Sequence, residues 1–340
     1  MFKSLLKKCS EGITLTRVEA KVIMDEMMLG NVDGAQVASL LSMMRLRGET
    51  VEEMVGFALS MKEHAVSVDH DEKKLLDTCG TGGDDLGTFN ISTTTAILVS
   101  ACGVKVAKHG NRAVSSKSGS ADVLEKLQIS VQSSPTEAIA AIQTKGLCFL
   151  FAPLYHQSMK HVADVRRQLG FKTVFNLLGP LVNPAKANRQ VIGVFDPTYA
   201  KKMAETLREL GTERALFVTG GDGLDECSIS TYTDVCELVK NEIIEYRLTP
   251  EEVGLNRGVL RDIQVSSVEE SAKLIEDIFV GKANKTAEDI VIFNSGAALY
   301  VADEVETINE GVIRARQILS SGKGLEQLRF LQTTKEELQC

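Results

Sequence analysis

From about residue 73 onward short apolar runs alternate with helical stretches, and that alternation constrains the fold more than any other feature of the sequence. Residues 75–79, 105–107, 148–152, 190–195 and 215–219 have the length and apolar character of buried strands. Helical segments fall between them at 91–101, 121–127, 134 onward and 199–210, the last stopped by Gly211. Ser134, Pro135 and Glu137 mark one start through a cap, a proline at the first position and a returning carboxylate. Parallel neighbours need a crossover, and a helix is the usual one. The expected class is therefore α/β, a mainly parallel sheet flanked by helices. Residues 235–248 add one or two strands, expected antiparallel, and the tail from 268 reads as helical.

The first 65 residues have a different texture. Thr16 with Glu19 and Thr50 with Glu53 have capping-box spacing, and Asp33 is placed to cap a helix ending at Gly48. Three short helices with narrow apolar faces cannot enclose a core alone. They must pack on each other, on later helices or on a second subunit. Residues 154–188 interrupt the βα alternation with a helix at 156–169 and the string Asn176-Leu-Leu-Gly-Pro-Leu-Val-Asn-Pro184, read as a crossover into the N-terminal layer. The expected organisation is a smaller all-helical domain, 1–70, joined by helices within about 156–188. An α/β domain is expected over 71–155 and 189–340.

Composition narrows the function. With 44% hydrophobic and 25% charged residues the chain can build a core, so a disordered or fibrous protein is disfavoured. The net charge of −8 argues against a broad nucleic-acid surface. No apolar run approaches membrane-spanning length, and no signal-peptide pattern follows Met1. Seven cysteines without a CxxC pair fit reduced thiols in a cytoplasm better than a disulfide or zinc framework.

Four polar strings stand at strand ends or helix starts. Asp77-Thr-Cys-Gly80-Thr-Gly82-Gly83-Asp84 follows the first strand, where glycines let backbone N–H groups approach a phosphate. It matches neither GxGxxG nor GxxxxGK[ST], which weakens a nucleotide reading. Thr88 and then Asn90-Ile91-Ser92-Thr93 open a helix, where free N–H groups and hydroxyls attract an anion and a hydroxyl can ligate Mg²⁺. Lys108-His109-Gly110-Asn111-Arg112-Ala113-Val114-Ser115-Ser116, continued by Lys117 and Ser120, concentrates cations and serines in an acidic protein. Gly220-Gly221-Asp222-Gly223-Leu224-Asp225-Glu226 sets adjacent carboxylates on a turn, which suits Mg²⁺. A fifth patch, Phe149 to His156 followed by Arg166 and Arg167, could cradle a flat acid but reads better as strand core plus exposed helix arginines.

These strings, in this order, together with Val165-Arg166-Arg167-Gln-Leu-Gly170, Phe175 to Pro184 and Asn294 to Tyr300, resemble the anthranilate phosphoribosyltransferase family of tryptophan biosynthesis over essentially the whole chain. The resemblance implies an Mg²⁺-dependent homodimer, joined through the helical domain, that acts on 5-phosphoribosyl 1-diphosphate and anthranilate. It implies sugar-diphosphate contacts from Gly80, Gly83, Asp84, Thr88, Asn90, Ile91, Ser92, Thr93, Lys108, His109, Gly110, Asn111, Arg112, Ala113, Val114, Ser115, Ser116 and Ser120. It implies anthranilate contacts from Gly80, Asn111 and Arg166, with His109, Tyr155, His156 and Pro180 lining the approach, and metal ligands Ser92, Asp225 and Glu226. No dedicated catalytic acid or base is expected, because the attacking aniline nitrogen is already neutral. Lys172, where the family more often has arginine, is one departure. Gln157 and Asp164, at positions often proline, and Tyr232, where a smaller residue or proline is usual, are others. The alternatives are a pyrimidine nucleoside phosphorylase-like enzyme and a non-catalytic nucleic-acid-binding paralogue.

Overall fold

The computed structural model describes residues 1–113 and 117–332. Val114, Ser115, Ser116 and Cys340 therefore lie outside the described residues. Four helices open the chain: α1 (Phe2–Ser10), α2 (Arg17–Met28), α3 (Gly34–Arg47) and α4 (Val51–Glu63). Both threonine capping boxes close, the hydroxyl accepting from the glutamate N–H and the carboxylate accepting from the threonine N–H. Asp33 takes the cap position of α3 without a side-chain cap bond. α1 is a helix beyond the three that capping signals mark, and it buries only Phe2, Leu5 and Cys9.

The α/β part runs β1 (Leu76–Gly80), α5 (Ile91–Ala101), β2 (Val106–Gly110), α6 (Ser120–Lys126), α7 (Pro135–Lys145), β3 (Leu147–Phe151), α8 (Ala152–Tyr155), α9 (Lys160–Leu169), α10 (Val174–Leu178), β4 (Arg189–Gly193), α11 (Ala200–Glu209), β5 (Arg214–Gly220), β6 (Thr233–Val239) and β7 (Glu242–Leu248). The tail is α12 (Val268–Phe279), α13 (Lys285–Val301), α14 (Ile308–Ser320) and α15 (Lys323–Leu331). The helix expected from His156 starts instead at Lys160. His156 sits at a break (φ −109°, ψ 56°), and one 3₁₀ turn follows it.

The sheet order is β3-β2-β1-β4-β5-β6-β7, parallel from β3 to β5 and antiparallel at β6 and β7. Alternate residues face two cores, as a pleated strand requires. Val191, Leu216 and Val218 join α5, α6 and the tail helices. Ile192, Ala215 and Phe217 join a core continuous with α1–α4 and α9–α11, so the N-terminal helices and one sheet face bury apolar surface together.

Chain direction across the sheet reverses between β1 and β4, and in open α/β sheets ligands bind outside the strand carboxyl ends at such a point. A second opening lies beside it. β1 and β2 share only the Leu76–Val106 register, whereas β1 and β4 stay paired through Gly80 and Gly193. The sheet thus parts between β1 and β2 at the end where the polar strings emerge.

Candidate active site

The wedge between β1 and β2 is filled by polar side chains. Asp77 is fully buried, and its carboxylate accepts from the His109 N–H (3.0 Å) and from Asn183 Nδ2 (2.7 Å). Asn183 Nδ2 also donates to the Ala107 carbonyl (2.9 Å). These bonds take the place of the missing ladder, since buried backbone groups must find partners. Lys108, only 2% exposed, donates through Nζ to the Thr78 carbonyl and to Ser92 Oγ (3.1 Å). Burial pulls its ammonium pKa down, opposed first by Asp77. Lys108 therefore arrives beside the α5 N-terminus. Asp77 and Asn183 stand in the quoted strings, but sequence reasoning gave them no role. An acid at a buried strand position was the available signal.

The β1 and β4 ends are laced together by Thr81, whose N–H and Oγ1 both donate to the Gly193 carbonyl (2.8 and 3.3 Å). The β5–β6 turn drops onto this seam. A Cβ on Gly193 would stand 1.7 Å from the Asp225 carbonyl oxygen, so only glycine admits the turn there. Asp225 Oδ2 accepts from the Gly82 N–H (3.1 Å), and Asp225 shares a hydrogen bond with Asp84. Glu226 lies beside the Ser92 N–H, which favours its ionised form. The glycine string, the α5 start and the carboxylate turn thus meet at one rim.

The electrostatics there call for a cation. Burial and then the Asp84 charge push Asp225 up to about 7. Burial and then Asp225 push Glu226 up to about 8. Two carboxyls that share a hydrogen bond need a proton or a metal ion between them. Among the described residues no three His, Cys, Asp or Glu side chains form a ready cage. That fits Mg²⁺, which takes one or two carboxylates and fills its shell with substrate phosphates and water. Ser92, Asp225 and Glu226 are suitably hard oxygen donors.

The rest of the sequence-predicted set is distributed unevenly. Asn90 heads α5, yet its side chain does not cap it. It accepts from Ser118 Oγ (2.6 Å) and Ser271 Oγ (2.8 Å) and donates to the Ser118 carbonyl (3.0 Å), tying the basic loop to α12. Ile91 is core, Thr93 is buried with an unpartnered hydroxyl, and Thr88 bridges to Gln264. Gly110 ends β2, Ser120 begins α6, and Asn111 caps the Arg112 N–H (2.8 Å). The Arg112 guanidinium is turned to α6, bonding Asp122 (2.9 Å) and Glu125 (2.7 and 2.6 Å), while the Ala113 N–H donates to Asp122.

On the crossover side, Arg166 is half-buried over the Phe175 ring (5.1 Å) and has no carboxylate partner among the described residues. Its neighbour Arg167 is exposed and paired with Asp164 (2.8 Å). His109 and His156 are buried with ring centroids 5.3 Å apart, each with an unpartnered Nε2. Burial drives His109 down to about 3 and His156 to about 4, so both rings are neutral. Tyr155 departs from expectation. It is 1% exposed, its hydroxyl donates to the Ser133 carbonyl (2.7 Å), and it belongs to the core under β3 rather than to any approach. Pro180 is buried as well, and its carbonyl accepts from Gln190 Nε2 (2.8 Å).

A helical bundle on an α/β sheet whose rim joins a glycine loop, a buried lysine and unneutralised carboxylates has the architecture of a glycosyl transferase. Residues 72–325 match the glycosyl transferase family a/b domain, and residues 3–65 match its helical bundle domain. The chain belongs, within that class, to the anthranilate phosphoribosyltransferase family. It is 56% identical to the anthranilate phosphoribosyltransferase of Halalkalibacterium halodurans, covering 99% of this chain and 98% of the relative. The crystal structure of the Thermus thermophilus enzyme superposes with a TM-score of 0.90 at 41% identity, over 96% of this chain and 97% of that one. The Saccharomyces cerevisiae enzyme in complex with PRPP and Mg superposes at 0.88 with 28% identity, over 97% and 96%.

Proposed function

We propose that the rim at the carboxyl ends of β1, β2, β4 and β5 is where this chain carries out its reaction. It transfers the 5-phosphoribosyl group from 5-phosphoribosyl 1-diphosphate to the amine of anthranilate, giving N-(5-phosphoribosyl)anthranilate and diphosphate. The observation that carries the site is the convergence of Gly82, Ser92 and Lys108 on the Asp225–Glu226 pair.

Breaking the sugar C1–O bond leaves an electron-poor carbon and a departing diphosphate that keeps the bonding pair, as in glycoside cleavage. Ser92, Asp225 and Glu226 would hold Mg²⁺, which would supply positive charge to that leaving group. Lys108 adds a buried cation, and backbone N–H groups of the glycine loop and the α5 start donate to the phosphates. Asp84, Asn90 and the described basic-loop residues complete this shell. Arg166 pairs with the anthranilate carboxylate and aims the amine, an orientation effect. The aniline nitrogen attacks as the free base and then sheds a proton, so no strong general base is needed.

The exposed apolar side chains of Val18, Leu29 and Leu46 on the N-terminal helices support a homodimer joined there, which light scattering tests. The six described cysteines are free, which supports a reducing cytoplasm, and no described helix is long and apolar enough to cross a membrane. The reaction is tested by mixing the protein with 5-phosphoribosyl 1-diphosphate, Mg²⁺ and anthranilate. Anthranilate fluorescence is expected to fall, and to persist when the metal is omitted. Persistence with every component present would overturn the assignment.

A further inference from the structure

The glycine loop after β1 is held from two sides. On one side the Gly82 N–H donates to Asp225. On the other, Lys172 reaches across from the segment between α9 and α10 and donates through Nζ to the Gly83 carbonyl. The same ammonium sits 3.8 Å from the centroid of Phe195, in the loop after β4. Lys172 is half-buried and has no carboxylate within 4.0 Å among the described residues. The contact is close: a Cβ on Gly83 would meet Lys172 Cε at 2.7 Å, and Gly83 has φ +80°. One side chain thus joins the crossover, the β1 loop and the β4 loop at the switch point.

The peptide plane gives this contact a consequence. In a trans peptide the C=O of one residue and the N–H of the next point in opposite directions. Drawing the Gly83 carbonyl toward Lys172 therefore turns the Asp84 N–H away from it. Neither the Gly83 N–H nor the Asp84 N–H has a protein acceptor among the described residues. The Asp225 anchor is conditional, because a carboxylate drawn to a cation weakens its bond to the Gly82 N–H. The Lys172 anchor involves no metal ligand.

We propose that Lys172 is a positioning residue for the diphosphate end of the sugar substrate. Acting through the Gly83 carbonyl, it fixes the loop so that the Gly83 and Asp84 N–H groups stay free and aimed for phosphate oxygens. The inference rests on the reaction read above and adds a residue to it.

The test compares wild type with Lys172→Met, which keeps length and loses the donor, and Lys172→Arg, which restores a donor. Steady-state kinetics are run with each substrate varied, and backbone ¹⁵N order parameters at residues 83–85 are measured without ligands. Lys172→Met is expected to raise KM for 5-phosphoribosyl 1-diphosphate by about tenfold, the scale of one charge-assisted hydrogen bond. KM for anthranilate and kcat are expected to stay within about twofold. Order parameters at 83–85 are expected to fall, and Lys172→Arg to recover most of both effects. An unchanged sugar KM, or an equal rise for anthranilate, would overturn the proposal. A KM rise with unchanged order parameters would assign the ammonium to charge alone and overturn the positioning role. If Lys172→Met melts early, calorimetric titration with Mg²⁺ and diphosphate well below its melting temperature decides, and wild-type affinity there counts against the proposal. If wild type itself does not turn over, the reaction assignment falls rather than this inference alone.

Discussion

Charge gathers at both ends of the parallel strands, and the two ends treat it in opposite ways. At the amino end Arg189 bonds Glu213 (2.6 Å) and Asp303 (3.0 Å), while Arg214 bonds Glu237 (3.0 Å) and Asp303 (2.6 Å) and stacks on Tyr300. Every charge there has an opposite charge beside it. At the carboxyl end Lys108, Asp225 and Glu226 have none within 4.0 Å among the described residues, and the two acids are pushed toward neutrality. Unpaired buried charge is costly, and a fold seeking stability alone pairs it as the amino end does. The carboxyl end makes sense if a substrate and a metal ion supply the missing partners.

Neutralising one acid at each end should separate the two roles most sharply. Glu226→Gln is expected to lower kcat/KM by about 10³-fold, typical for lost stabilisation of a developing anion. Its apo melting temperature should hold or rise, because a repelled, desolvated carboxylate is gone. Glu237→Gln should do the reverse, losing about 2–4 kcal/mol of stability as Arg214 is left half-paired, with kcat/KM within about threefold. Thermal melts without Mg²⁺ and fluorescence kinetics check both, and a Glu226→Gln protein that keeps full rate breaks the comparison.

The next contrast is between adjacent arginines. Arg166→Ala is expected to raise KM for anthranilate by about 10²-fold, since a partner-free guanidinium bidentate to a carboxylate contributes strongly. Arg167→Ala, already paired with Asp164 and exposed, should change it less than about twofold. Equal effects, or an Arg166→Ala effect on both substrates, would remove Arg166 from the aromatic-acid side.

Why the rim was readable and its supports were not has a physical cause. Gly82, Ser92, Lys108 and Glu226 each stand at a strand end or helix start, so βα alternation alone brings them to one edge. The wedge behind them depends on Asp77 replacing ladder bonds between β1 and β2, and no local pattern separates that acid from a turn residue. Lys172 reaches Gly83 from 89 residues away, and Arg112 is claimed by Asp122 and Glu125 on the following helix. Such pairings are set by packing. Tyr155 shows the limit from the other side: an aromatic in a chemistry-rich string turned out to be core with a satisfied hydroxyl.

A smaller effect links the carboxyl end to pH. Mg²⁺ needs the ionised carboxylates, and Asp225 and Glu226 are raised to about 7 and about 8. Apparent Mg²⁺ affinity should therefore climb as pH rises from 6 to 8.5, by at least about tenfold for each carboxylate that must ionise, with proton release on binding. Calorimetric titration in buffers of different ionisation enthalpy measures both, and a flat profile would place the metal elsewhere.

The smallest expected effect is a difference in acid sensitivity between the two ends. His156 falls from about 6.5 unfolded to about 4 folded, because burial penalises the imidazolium. The unfolded chain then binds the extra proton, so this group removes stability as pH drops through that window, at about 1 kcal/mol per pH unit. At the amino end the Arg189 bond holds Glu213 below its usual range, and the arginine bonds to Asp303 outweigh its burial. Those acids stabilise the fold above about pH 4 and lose that contribution only below it. Asp225 and Glu226 work against the histidine, gaining protons on folding as pH falls, so the whole-protein curve mixes signs. The informative quantity is the difference between wild type and His156→Gln in denaturant melts from pH 7 to 4.5. That difference should shift in favour of the variant as pH falls. A constant difference would mean His156 stays neutral in the unfolded chain as well, or is charged in the fold, and the unpaired end would lose one of its marks.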